Sequence, residues 1–344
     1  MNPNAEPIDS SNHGEPPALT PTDAPPPVPG TLTEPPPLPL TPPPLPPPAK
    51  PRVWLALAVG VGAGAAGLVL SVIVMVAVMS LKGVNFQTAF GDKNLAHLLS
   101  DPEMLFAMFL PGQCVFLLAA FAAAALSRQP QRQRLGFLRS RMSGWAIPLF
   151  ILATPFAGLV GGWLATFVFG ESSKHLKLMG DVVSGQRGPM VAAVVFLMVV
   201  LAPFAEETLF RGYVLRRLLE RWRPAAAIGV SALIFTAAHL DPCHMLGVLP
   251  IGVWFGVIAW RTGAVWPGML CHAAQNLLAT IGMFSSKHSD QPTDYSNPTV
   301  LAMFGFFFLA FAAAAAVLAR KQPPARIQNA PETGGPSPQS ASHK

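Results

Sequence analysis

Eight long apolar runs, parted by short links rich in charge, proline or turn residues, fill the middle of this chain. They cover residues 53–81, 102–126, 144–169, 189–209, 225–240, 245–260, 264–284 and 298–319. About 20 apolar residues in helical form cross the hydrocarbon core of a bilayer. The pattern therefore predicts an all-α membrane protein, a bundle of about eight transmembrane helices. Gly60, Gly62, Gly64 and Gly67 in the first run allow close helix approach in lipid.

The flanks differ in kind. Residues 1–52 are dominated by proline, with runs at 35–37 and 46–48. Proline lacks a backbone donor and fixes φ, so a disordered tail with polyproline II stretches is expected. It lacks the basic-then-apolar pattern of a cleavable signal peptide. A partner that reads proline motifs is the protein partner such a tail suggests. Residues 321–344 are polar and also expected to be structureless. Between the tails, residues 53–320 form the membrane domain, with the chemistry-bearing core at about 189–284.

Composition agrees with this organisation. Hydrophobic residues make up 51% of the chain and charged ones only 12%, whereas soluble domains run near 25% charged. The net charge of +6 does not point to nucleic acid, because the basic residues sit in links. Arginines cluster after the second run (Arg128, Arg132, Arg134, Arg139, Arg141) and after the fourth (Arg211, Arg216, Arg217, Arg221, Arg223). Arg261 follows the sixth run, Lys50 and Arg52 precede the first, and Arg320, Lys321 and Arg326 follow the eighth. The alternate links are mixed in sign or nearly uncharged. Under the positive-inside rule both termini are then cytoplasmic. The Ala- and Pro-rich composition reads as bacterial, which places the protein in the inner (cytoplasmic) membrane. Cys114, Cys243 and Cys271 are too few and scattered for a disulfide framework or zinc ribbon.

The candidate chemistry begins at Glu206 and Glu207, adjacent acids behind an uncharged run. Ionisable groups inside a membrane are expensive and mark function by default. On a helix Glu207 and Arg211 are i and i+4 and share a face, so they can pair. Glu206 points about 100° away, without that partner, as the candidate base. Pro203 removes a helical hydrogen bond and invites a kink that frees backbone groups. His239 ends the fifth run, with Phe235 one turn behind it. If residues 221–224 turn a hairpin, Glu206 and His239 both lie roughly 25 Å from it at 1.5 Å per residue, hence level with one another. His272 and Asn276, again i and i+4, present an imidazole and an amide roughly 14–20 Å from the turn at 262–263.

A base, two imidazoles and a neutral amide fit peptide-bond hydrolysis by activated water. Glu206 and His239 would deprotonate the water, and His272 and Asn276 would donate to the developing oxyanion. The same atoms also suit a metal site, with Glu206, His239 and His272 as ligands and a water in the open position. The cofactor is accordingly none, or one divalent metal such as zinc. There is no His-Glu-x-x-His helix. A different class of function, a transporter, proton relay or scaffold, would use the same buried polar residues without cleaving anything. His97, His175, His244 and His288 fall in links or at their edges and read as structural or solvated.

These residues resemble the three signature motifs of the CPBP family, the CAAX proteases and bacteriocin-processing enzymes also known as the Abi group. The motifs are Glu-Glu-x-x-x-Arg (Glu206 to Arg211), Phe-x-x-x-His (Phe235 to His239) and His-x-x-x-Asn (His272 to Asn276). All three occur in order and without departure. The resemblance covers about residues 191–284. It implies an eight-helix membrane fold with an intramembrane polar cavity, and an intramembrane endopeptidase acting on a membrane-associated protein or peptide. It implies Glu206 and His239 as water activators, His272 and Asn276 as the oxyanion site, and Glu207 and Arg211 as members of the first motif. Members are often called metalloproteases.

Overall fold

The computed structural model describes residues 53–84, 98, 101–127, 129–170, 174–285 and 295–320. The tails expected over 1–52 and 321–344 lie outside the described residues, as do His97, His288 and the side chain of His175. Eight main helices are present among the described residues. They are α1 (Val53–Leu81), α2 (Pro102–Ala125), α3 (Ala146–Phe169), α4 (Pro189–Leu219), α5 (Pro224–Ala237), α6 (Pro242–Thr262), α7 (Trp266–Ser285) and α8 (Pro298–Arg320). Six of them are long and apolar enough to cross a membrane. Of the other two, α5 has only 14 residues, and α7 is long enough but carries His272, Gln275 and Asn276. A single turn at Gln131–Arg134 and a short amphipathic helix at Lys174–Ser184 complete the set.

The helix ends follow from local chemistry. Asp101 accepts the Glu103 N–H and Asp241 accepts those of Cys243 and His244, each just before a proline at the first helical position. Gly170 and Gly263, at φ +72° and +70°, close α3 and α6 in the left-handed conformation that glycine tolerates best.

Two boundaries depart from the apolar pattern. The fourth helix does not stop at residue 209 but continues to Leu219. Arg211 therefore does not belong to a link: its side chain is 1% exposed. An arginine can sit there because Glu207 pairs with it one turn back. In the other direction, α5 ends at Ala237, so His239 stands in the turn beyond the helix. The following Leu240 takes a φ of +62°, an uncommon conformation for a side chain branched like leucine's. This backbone reversal leads directly into α6.

The exterior is apolar, as lipid requires. Val61, Leu68 and Ile73 on α1 and Leu301, Phe306 and Leu309 on α8 are exposed, and no aqueous driving force would leave them so. Of the four glycines in α1, Gly60 and Gly67 are buried. A methyl group on Gly67 would come within 3.2 Å of the Gly112 Cα, so here α1 and α2 touch backbone to backbone. Gly62 and Gly64 face open space and serve no such contact. The tightest approach joins α3 to α6, where a side chain on Gly161 would overlap the Gly247 carbonyl.

The arginine-bearing links gather at one end of the bundle. Arg134 pairs with Glu220 at 2.7 Å, and Glu220 also takes Arg217 at 2.8 Å. The Arg141 N–H donates to Thr262 O, Val265 N–H to Gly136 O, and Arg216 Nη1 to Gly263 O. The links after α2, α4 and α6 are thus stitched together. At a different set of links Lys82 pairs with Asp101 at 2.7 Å, between the end of α1 and the start of α2.

Candidate active site

A column of aromatic rings defines the level of the polar cluster. Phe116 of α2, Phe210 of α4 and Phe235 of α5 meet edge to face, with centroids 5.5 Å apart in both pairs. All three rings are buried. Interlocked this way, α2, α4 and α5 present their polar residues to a shared interior.

Glu207 is the hub. Its Oε1 accepts Arg211 Nη1 at 2.9 Å and His272 Nδ1 at 3.1 Å, and its side chain is fully buried. Arg211 is held on two further sides. Nη2 donates to the Gly252 carbonyl of α6 at 2.9 Å, and the guanidinium lies 4.2 Å from the Phe235 ring centroid. The phenylalanine of the second motif is thereby a cation–π shelf for the arginine of the first. A side chain on Gly252 would press on Phe235 and Ala232 of α5, at 3.2 and 3.3 Å. Gly268 of α7 similarly lets that helix approach Glu207 Oε2.

Glu206 points elsewhere. Its Oε1 accepts Gln113 Nε2 of α2 at 3.1 Å, and its Oε2 lies 3.8 Å from His272 Nε2. At that distance there is no direct hydrogen bond. His272 thus stands between the two acids, bonded through Nδ1 to one and facing the other through Nε2. Because a carboxylate only accepts, Nδ1 carries the proton. The ring also lies against Phe255, with centroids 4.9 Å apart.

His239 is half-buried, and its Nδ1 is 3.2 Å from the Phe235 carbonyl. A carbonyl also only accepts, so Nδ1 is the donor and Nε2 is left as the acceptor of the neutral ring. The Phe235 ring lies between the two imidazoles, its centroid 5.2 Å from that of His239 and 6.0 Å from that of His272. The other neighbour of His239 is His244 in the first turn of α6, with ring centroids 4.7 Å apart. His244 is therefore part of this environment, although its position in a link gave no sign of it.

Asn276 is placed by a defect in α4. Residues Phe196–Leu201 and Thr208–Leu215 form π-helical turns around a short α stretch. In the first of these, the Ala202 N–H bonds to Leu197 O, five residues back. The next carbonyl, Met198 O, would then look to residue 203, and Pro203 has no N–H. Asn276 Nδ2 donates to this carbonyl at 2.8 Å. One amide hydrogen is committed there and the second is left. π-Turns of this sort occur often at functional sites.

Glu206, Glu207, Arg211, His239 and His272 are thus brought to one place, and Asn276 is anchored to the turn just upstream of the acids. Gln113 is the residue that the apolar pattern did not single out. Its signal was present: it is a buried amide in the middle of an otherwise apolar helix, 93 residues from Glu206 in the chain. The expected metal trio is a different matter. Among the described residues no three His, Cys, Asp or Glu side chains are gathered as a metal-holding group, and the bond from His272 Nδ1 to Glu207 leaves Nε2 as the nitrogen a metal would take.

Comparison with known proteins bears on the same region. Residues 188–278 match the family model described as Rce1-like, type II CAAX prenyl endopeptidase Rce1-like. A curated protein of Bacillus subtilis (strain 168), named "Putative membrane peptidase YdiL", is 27% identical over 139 residues, 40% of this chain and 54% of that protein. The chain thus spans about half the length of the curated relative it matches. No solved structure matches. The family model falls on the stretch that holds all three motifs.

Proposed function

We propose that this protein is an intramembrane endopeptidase that hydrolyses a peptide bond of a membrane-associated protein or peptide with a water activated by Glu206 and His239. The observation that carries the reading is the division of labour between adjacent acids. Glu207 Oε1 is taken by Arg211 and His272 and its Oε2 is sealed in the interior, whereas Glu206, 13% exposed, keeps an Oε2 that has no direct hydrogen bond and faces His272. A general base needs such an unsaturated acceptor.

In this reading a water between Glu206 Oε2 and His239 Nε2 loses its proton to the carboxylate as its oxygen attacks the scissile carbonyl. The tetrahedral oxyanion takes hydrogen bonds from the second Asn276 amide hydrogen and from His272 at Nε2. The proton held by Glu206 then passes to the leaving amine. Glu207, itself held by Arg211, keeps His272 in place. Excluding bulk water strengthens each of these interactions. Both termini would face the cytoplasm of a bacterial cell, with the arginine-stitched end of the bundle on that side.

The test is a proteoliposome assay of a membrane-peptide library run beside a proton-flux assay. Cleavage lost in Glu206→Gln and His239→Ala, with both variants still folded, supports the protease. Proton flux without cleavage overturns it.

A further inference from the structure

Away from the polar cluster, α3, α6 and α8 enclose a cavity of about 560 Å³ that none of the chemistry above uses. It is within the range of about 300–1,000 Å³ typical of sites for small molecules. Phe156, Val253, Val257, Phe311 and Ala315 form its walls, and no Asp or Glu lines it. The one charged wall residue is Arg261, at the C-terminal end of α6. Its guanidinium lies 4.3 Å from the centroid of the Trp260 ring, which orients it.

The surroundings extend that charge. At the Gly263 turn, two residues beyond Arg261, Arg216 Nη1 donates to the Gly263 carbonyl at 3.2 Å. Arg141 Nε lies 3.2 Å from where a Gly263 side chain would begin. Arg320 ends α8 beside Leu318 and Ala319, which also line the cavity. The slot therefore runs between three membrane-spanning helices and opens at its end onto a basic rim.

We propose that this cavity is a binding site for one anionic phospholipid, with an acyl chain between α3, α6 and α8 and the phosphate against Arg261. An apolar slot between membrane helices excludes a soluble polar ligand, and a wall whose one charged residue is Arg261 favours an anionic head group over a zwitterionic one. The Trp260–Arg261 stack sits where aromatic and basic residues meet head groups. The site makes no contact required by the proposed hydrolysis, so it stands or falls independently of that reading.

Native mass spectrometry of the full chain released from detergent, with phosphatidylglycerol or phosphatidylcholine added, provides the test. One phosphatidylglycerol should be retained about fivefold or more over phosphatidylcholine, as roughly one arginine's attraction allows. Arg261→Gln should erase the preference while leaving thermal unfolding unchanged. Ala315→Phe, which fills the slot, should remove the retained lipid of either kind, and Val257→Phe is the second filling variant should the first fail to fold. Equal retention of both lipids by the wild type overturns the proposal, as does a preference that survives Arg261→Gln. A filling variant that converts a dimer to a monomer without changing lipid retention also overturns it, and assigns the slot to a second copy of the chain.

Discussion

Gln113 Nε2 stands 3.1 Å from Glu206 Oε1, across the interface between α2 and α4. This bond orients the carboxylate so that its other oxygen faces His272, and it ties the first half of the bundle to the proposed base. Replacing Gln113 with leucine leaves Glu206 Oε1 without its donor and should cost about 1–3 kcal/mol of stability, short of unfolding the bundle. Peptide cleavage should fall about 10- to 100-fold, the worth of a hydrogen bond to a charged group. The loss should appear in kcat rather than KM, and steady-state kinetics in proteoliposomes reads the split.

Glu206→Gln keeps the shape and the bond partner but removes the base. Cleavage should drop by about 10²- to 10⁴-fold, the usual contribution of a general base. Thermal unfolding in detergent should move little, because no buried cation loses its counter-charge.

The neighbouring acid should behave in the opposite way. Glu207→Ala strands Arg211, whose side chain is 1% exposed, and frees His272. Breaking a buried pair from one side costs about 3–5 kcal/mol. Loss of folded protein on size-exclusion chromatography should therefore accompany loss of activity. Arg211→Lys should not rescue, because an ammonium cannot reach Glu207 and Gly252 together while stacking on Phe235.

Two glycines separate packing from mere composition. Gly161→Ala drives a methyl group into the Gly247 carbonyl and should destabilise by about 1–3 kcal/mol. Gly62→Ala meets nothing within 4 Å and should be neutral, or stabilising by up to about 1 kcal/mol through helix propensity. Chemical denaturation of both variants checks the contrast.

Outside the membrane segments, the Lys82–Asp101 pair gives a pH dependence. Burial works to raise the Asp101 carboxyl, but the Lys82 hydrogen bond and the Glu103 N–H outweigh it and hold it below the usual value. A depressed carboxyl stabilises the fold above its unfolded pKa and loses that effect as pH falls through the folded one. Lys82 is raised chiefly by its bond to Asp101, so its share is present below its unfolded pKa and lost at higher pH. The destabilisation caused by Asp101→Asn should thus be constant near neutrality and vanish in acid, as stability curves of the two proteins would record.

The helical membrane class was legible from the apolar runs alone, because lipid demands long uncharged segments and leaves no other reading of them. The three motifs were also legible, since i and i+4 spacing on a helix is a local property. The pairing of Glu207 with Arg211 is local in the same sense. Three things were not. The extension of α4 to Leu219 was hidden because an arginine reads as a link until a buried partner and an aromatic shelf neutralise it. The roles of Gln113 and His244 were hidden because each depends on which helix lies opposite, and no single-strand periodicity encodes that. The capture of Met198 O by Asn276 joins residues 78 apart. Pro203 showed that a carbonyl nearby would lack its donor, but only the packing of α7 against α4 decided which side chain would supply one.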